Sequence, residues 1–357
     1  MMKHTLLLTI LTILNLPVIS AQDSTRFYLE AYNEINEMLI GERPLAFKDA
    51  VLATENAYFD GDLNVKVVNE NIDLLTNLVQ LTCSSELISY DGSDKDIVTK
   101  HAAIFKILSD TTSILLDSTH LLVHKPYTYD FVDMWGQKDW SKMFVSKLLI
   151  AGNGNCHSMP YLYKILSEEL GIPAYLSFAP NHIYIKLRCQ KTGWYNTELT
   201  SATFPIDAWI IASGYVHLDA VRNGLYMDTL SLQQSVAYCM LDLAQGYQHK
   251  FGKANPSFVL KCCDTCLKYI PNNVNALLTK AEAQKNFLDL EAKRHKVKTP
   301  KELLKDPTIK PMYEDMEQAY VRLYQLGYRR MPEDMYAKWL GLLKTESEKY
   351  TNKSVIH

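Results

Sequence analysis

Gly152-Asn153-Gly154-Asn155-Cys156-His157-Ser158-Met159-Pro160 opens the stretch on which the reading of this chain turns, and the stretch runs on to Glu198-Leu199-Thr200. Two glycines and two asparagines in alternation mark a tight turn rather than helix interior. Pro160 then suits the first turn of a helix, where its missing N–H costs nothing. Met159, Leu162, Ile165, Leu166 and Leu170 recur at helical spacing, and Gly171 with Pro173 forms a stop. Cys156 therefore belongs at or just before a helix N-terminus. The positive dipole end there favours a thiolate over a thiol.

Working outward, Ala174 to Ala179 reads as a short buried strand, broken by Pro180-Asn181. His182-Ile183-Tyr184-Ile185-Lys186-Leu187-Arg188 alternates as a second strand. Gln190-Lys191-Thr192-Gly193 is a turn, and Trp194 to Glu198 returns as the partner strand. If even residues share a face, His182, Asn196 and Glu198 project together, with Glu198 close to His182 and Asn196 further along. A register slip of one residue would separate them. A thiol at a helix start beside an imidazole with a polar orienter is a Cys–His–acid arrangement, in which the third residue fixes the ring's tautomer. The bland alternatives are a cysteine acting as a small buried hydrophobe and a histidine held by structural hydrogen bonds.

These pieces resemble the transglutaminase-like superfamily of papain-like cysteine enzymes. The resemblance rests on Gly154-Asn155-Cys156, Leu170-Gly171-Ile172-Pro173-Ala174, His182-Ile183-Tyr184, and Trp194 followed four residues later by Glu198. It covers roughly 135–215. That family's last segment reads Trp, three residues, Asp-Pro-Thr, whereas this chain has Glu198 for Asp and Leu199 for Pro. Glu198 or Asn196 is thus the third member of the set. The resemblance implies an α+β fold with a papain/transglutaminase-like core, the Cys helix packed on a small antiparallel sheet. It also implies a nucleophile, Cys156, a proton carrier, His182, and attack on amide bonds of a peptide or protein, by hydrolysis or acyl transfer. Backbone N–H groups at the helix start, with Gln137, Asn155 and Trp194, are the oxyanion and substrate-groove candidates. No cofactor is implied.

The remaining chain is read around this core. Met1 to Ala21 has Lys3 and His4, an apolar run from Leu6 to Leu16 and a small-residue end at Ile19-Ser20-Ala21. That is a signal peptide, so the protein is expected to be exported, periplasmic or secreted, and not membrane-spanning after its removal. A net charge of -3 and the lack of basic runs with interleaved aromatics argue against a nucleic-acid partner. Seven cysteines leave at least one outside any intrachain disulfide.

Residues 22–125 read as a helical N-terminal region: 27–39 ended by Gly41, a helix from Pro44 to Tyr58, 65–81, and 97–115. Glu55 reads as a solvated or capping carboxylate. The segment Tyr127 to Trp140 is aromatic and acidic, for packing or for a groove. It ends the lead into the core at 126–230, in which Trp209 lies on the hydrophobic interior and His217 and Asp219 are structural. From 231 to 357 the pattern resembles tetratricopeptide helical repeats, strongest at Pro271-Asn272-Asn273, with a second unit over Tyr313 to Leu343 and Ala319, Tyr320, Leu323 and Trp339 inward. Such repeats imply a protein partner on a concave face. Glu291 to Lys310 is linker-like. Cys262, Cys263 and Cys266 lack a second pair for zinc, so no metal is expected, and core packing or a disulfide with Cys239 accounts for them.

Overall fold

The computed structural model describes residues 21–83, 87–115, 121–297, 302, 304–307 and 309–355. The signal-like leader lies outside these, apart from Ala21, as does part of the charged stretch 291–310. The fold is α+β, with small sheets of two or three strands among many helices.

Four helices open the chain: α1 (Ala21–Leu39), α2 (Phe47–Tyr58), α3 (Val65–Thr82) and α4 (Lys95–Ser109). α1 buries Tyr28, Tyr32, Ile35 and Leu39 along one side and stops before Gly41, which takes a left-handed φ of 84°. α2 begins three residues later than Pro44 suggests. Its first N–H groups, those of Phe47 and Lys48, donate to the Glu168 carboxylate at 3.0 and 3.1 Å, so a distant acid sets where the helix starts. α4 also ends earlier than its apolar run. Asp110 turns extended, and the β-branched Thr111-Thr112 leads into β1 (Thr112–Leu115), paired antiparallel with β2 (Leu121–His124). The N-terminal region is therefore helical with one small hairpin.

The central stretch follows its local signals closely. A two-residue parallel pairing of β3 (Thr128–Tyr129) with β4 (Asn153–Gly154) ties the aromatic segment to the turn before Cys156. Between them lie a 3-10 turn (Trp140–Met143) and α5 (Val145–Ala151), closed by Gly152 at φ 69°. α6 (Ser158–Glu169) carries Pro160 in its first turn and ends at Gly171, φ 66°. Then come β5 (Tyr175–Ala179), β6 (His182–Cys189) and β7 (Gly193–Thr197), an antiparallel sheet in that order. Lys186 pairs with Asn196 and Ile185 with Thr197, so the even residues do share one face.

α7 (Asp207–Ile211) and α8 (Leu218–Arg222) lead to α9 (Leu232–Phe251), α10 (Pro256–Tyr269) and α11 (Val274–Arg294), neighbours joined by short turns. Asn273 caps α11 by accepting the Ala276 N–H at 2.8 Å. α11 runs through Glu291 to Arg294, so the charged stretch begins as helix. The chain closes with α12 (Lys310–Gln325), α13 (Glu333–Thr345) and α14 (Ser347–Tyr350). The expected second repeat unit divides here. α12 packs on α11 with Ala319 and Leu323 buried and Tyr320 exposed. α13 instead returns to the central region, where Trp339 stacks on Trp209 of α7 and Tyr336 meets His182 of β6.

One hydrophobic core runs from Tyr28 on α1 through Tyr161 and Leu166 on α6 to Val236 and Leu243 on α9 and Cys262 on α10. The N-terminal, central and C-terminal regions thus share an interior. Cys239, Cys262, Cys263 and Cys266 are free and buried in it, and so fill the core as small apolar side chains instead of forming the disulfide offered for Cys239. A second cluster joins Cys156, Ala179, Tyr184 and Trp209 to Met331, Tyr336, Trp339 and Leu343 of the C-terminal segment. The candidate site lies in this second cluster.

Candidate active site

Cys156 stands two residues ahead of α6 in a turn organised by Asn155. The Asn155 side-chain oxygen accepts the N–H groups of His157 and Ser158 at 3.0 and 3.1 Å, and its carbonyl accepts that of Met159. Its amide nitrogen is committed to the Met134 carbonyl at 3.2 Å and to the Met143 sulfur. Asn155 is therefore a buried helix cap rather than an oxyanion donor. The three N–H groups after Cys156 are taken by it, so the donor this turn offers to a ligand is the Cys156 N–H.

The Pro180-Asn181 turn joins β5 to β6 in two residues, with Asn181 left-handed at φ 57°. It brings the Asn181 carbonyl to 3.9 Å from the Cys156 sulfur, as an acceptor for the thiol. His182 follows at once, so the tightness of this turn sets the imidazole against the thiol.

The His182 ring is held at both nitrogens. Nε2 lies 2.5 Å from Glu198 Oε2, and Nδ1 lies 2.8 Å from the Tyr336 hydroxyl. The carboxylate makes Nε2 the protonated nitrogen, which leaves Nδ1 to face Tyr336 and the thiol. Glu198 sits just beyond β7, in a bridge with Thr203, and its other oxygen accepts the Thr200 N–H at 2.7 Å. The longer Glu side chain reaches the imidazole diagonally across the pleat.

Around the ring stand Trp209 and Trp339, edge-on at 6.0 and 5.5 Å, and Tyr336 at 5.9 Å. The two tryptophans stack at 4.2 Å, and each indole N–H faces the other's backbone carbonyl. Tyr336 also meets the Tyr129 hydroxyl at 3.2 Å. Cys156 keeps 9% exposure, His182 3% and Glu198 1%.

This burial sharpens the electrostatics. It pushes the Cys156 thiol up, but hydrogen bonding to His182, the charge of that ring and the Tyr336 hydroxyl more than offset it, and the thiol ends below its ordinary value. Burial pulls His182 down, while the Glu198 charge and hydrogen bonds to Cys156 and Glu198 carry it well above the usual imidazole value. Glu198 is raised by burial and then lowered past its ordinary value by His182 and Thr200. All three shifts favour a thiolate beside an imidazolium, with a carboxylate behind it.

A cavity of about 280 Å³ opens beside the thiol. Its lining includes Met134, Trp135, Phe178, Tyr226, Gln245 and Asn275, so the aromatic segment 127–140 does supply part of a groove. The other sequence candidates lie elsewhere. Gln137 is exposed and donates to Glu333 Oε1 at 3.3 Å, away from the thiol. Trp194 is 46% exposed at the far end of the hairpin, against Tyr175 and Arg188. Asn196 shares the His182 face but points its amide to the Pro205 carbonyl and Asp207, at 3.0 and 2.8 Å. His217 and Asp219 pair with each other on an exposed helix start.

Glu55 is a capping carboxylate, not a solvated one. It is buried on α2 and accepts the Val145 and Ser146 N–H groups at 2.7 and 3.0 Å, capping α5. Tyr336 is the site residue that sequence reasoning missed. Its only signal is that Tyr336 and Trp339 share a helical face after Pro332, which does not identify a partner 154 residues away.

Among the described residues no helix is long and apolar enough to cross a membrane. Compared with protein-family models, with curated proteins and with solved structures, the chain matches none, and the reading of the site rests on its own geometry.

Proposed function

We propose that this chain is an exported thiol enzyme of the transglutaminase-like, papain-like type, acting on amide bonds of a peptide or protein in the periplasm or outside the cell. The observation that carries the reading is the buried pair His182–Glu198, joined at 2.5 Å beside the Cys156 thiol, with Cys156 and His182 both lining one cavity.

In this reading the Cys156 thiolate attacks the amide carbonyl carbon, a C–S bond forms, and the carbonyl oxygen takes the negative charge. The Cys156 N–H and the Tyr336 hydroxyl are the donors that supply stabilisation to that oxygen. His182 gives its proton to the departing nitrogen as the C–N bond breaks, leaving an acyl-thioester. Water then adds with His182 accepting its proton, the C–S bond breaks, and a carboxylic acid leaves. An amine in place of water completes acyl transfer instead. Glu198 holds the imidazole's tautomer and charge throughout. Hydrolysis is favoured because the thiol and imidazole are nearly buried under Tyr336 and Trp339, which suits water better than a second macromolecule.

Hydroxylamine tests the reading directly, because it converts an acyl-thioester into a hydroxamate. With a library of peptide amides, hydroxamates should form with the wild type and vanish with Cys156→Ala. No hydroxamate from either protein across the library would contradict the enzyme reading.

One observation favours a second reading. α13 and Trp209 together bury the His182 side chain, as suits a non-catalytic scaffold with partner-binding helices. In that case the thiol would be inert, and the helices α9 to α11 would carry the function by binding a peptide or protein.

A further inference from the structure

We infer that His157, the residue next to the thiol, is held as a fixed imidazolium by Asp242 and serves as a second positive charge that stabilises the Cys156 thiolate. The inference rests on the reading of Cys156 as the nucleophile and adds a positioning residue to it.

The hydrogen bonds around His157 call for two N–H donors on its ring. His157 Nδ1 lies 2.9 Å from the Met143 carbonyl oxygen, and Nε2 lies 3.0 Å from Asp242 Oδ1. A carbonyl oxygen can only accept. The other Asp242 oxygen already takes the Tyr161 hydroxyl as donor at 2.7 Å. A neutral imidazole has one N–H, so it would turn a lone pair toward one of these two acceptors, whereas the protonated ring satisfies both. The ring also packs on Tyr161 with centroids 4.0 Å apart, a surface that favours a cation. Burial opposes the charge, but the Asp242 carboxylate and the Met143 carbonyl outweigh it and leave His157 above the ordinary imidazole value.

The neighbours leave His157 a distinct part. The thiol is faced by His182 on β6 with Glu198 behind it, by Tyr129 on β3, by Tyr336 on α13 and by Tyr238 on α9. His157 is faced by Asp242 on α9, Tyr161 on α6 and Glu55 on α2. His182 and His157 are thus the two groups of this set able to carry positive charge. The first exchanges its proton with substrate in the proposed reaction. The second is locked by Asp242 and keeps its proton while the thiolate is used and regenerated.

Iodoacetamide alkylation of Cys156 across pH, read by mass spectrometry on the full chain, separates the claims. His157→Gln should raise the midpoint by about half a pH unit at most, a roughly threefold slower reaction on the acid side. A wild-type profile in His157→Gln, while His182→Ala shifts it, overturns the inference and leaves the thiol reading standing. An ordinary thiol profile in the wild type, unmoved by either change, overturns both. Imidazole 1H–15N correlation spectra of the wild type bypass any folding defect of the variant. Both His157 nitrogens protonated at pH 7 supports the inference, and a neutral ring at pH 7 overturns it.

Discussion

The Tyr336 hydroxyl lies 2.8 Å from Nδ1 of His182, joining a C-terminal helix to a strand 154 residues earlier in the chain. The contact makes α13 part of the site, because the phenol meets both the imidazole and the thiol. Its own ionisation is pushed far up, first by burial and then by the nearby thiol, so it remains an O–H donor at working pH.

Tyr336→Phe removes this donor and keeps the ring. The thiol loses one of the hydrogen bonds that lower it, so the midpoint of Cys156 alkylation should move up by about half a pH unit. Thermal unfolding should change little, since the ring still packs on Trp135 and Trp339. An unchanged alkylation profile would make Tyr336 a packing residue only.

Glu198 and Asn196 share a sheet face but have different partners, and substitution should separate them. Glu198→Gln takes the carboxylate from His182 Nε2, which lowers the imidazole's affinity for its proton and raises the thiol midpoint by about one to two pH units. Asn196→Ala breaks bonds to Pro205 and Asp207, so it should cost about 1–2 kcal/mol of stability in denaturant titration with the thiol profile intact. The reverse pattern would transfer the orienting role to Asn196.

The Trp209–Trp339 stack anchors the roof of the site. Trp339→Ala empties a buried volume and unpairs the Trp209 carbonyl, a loss of about 3–5 kcal/mol by chemical denaturation. Native-state hydrogen exchange should then show α13 opening ahead of global unfolding. A loss below about 1 kcal/mol would mean that the helix is held by Met331 and Leu343 instead.

Much of the site was legible because its first three members are placed by short-range rules. The glycine–asparagine turn, Pro160 and the apolar spacing put Cys156 ahead of α6. The Pro180-Asn181 turn and strand alternation put His182 and Glu198 on one face. What escaped reading is long-range. No periodicity says that α13 leaves the helical stack to cover His182, because Trp339 at an inward position would look the same in either place. Glu55 and Glu168 cap helices far away in sequence, and an acid on one helix carries no mark of the helix end it satisfies. Gln137 and Trp194 were drawn in by the resemblance alone, and tertiary packing sends both to the surface.

The central claim is that Cys156 is a thiolate made by His182, and the pH dependence of its alkylation tests it most directly. The other six cysteines are resolved by peptide mapping. Cys156 is lowered and His182 raised, so thiolate and imidazolium coexist between the two titrations. The account predicts fast labelling of Cys156 already below pH 7 that is lost in His182→Ala, whose midpoint rises toward the ordinary thiol value of about 8.5. Slow labelling with an ordinary thiol midpoint in the wild type, unchanged by His182→Ala, would contradict it.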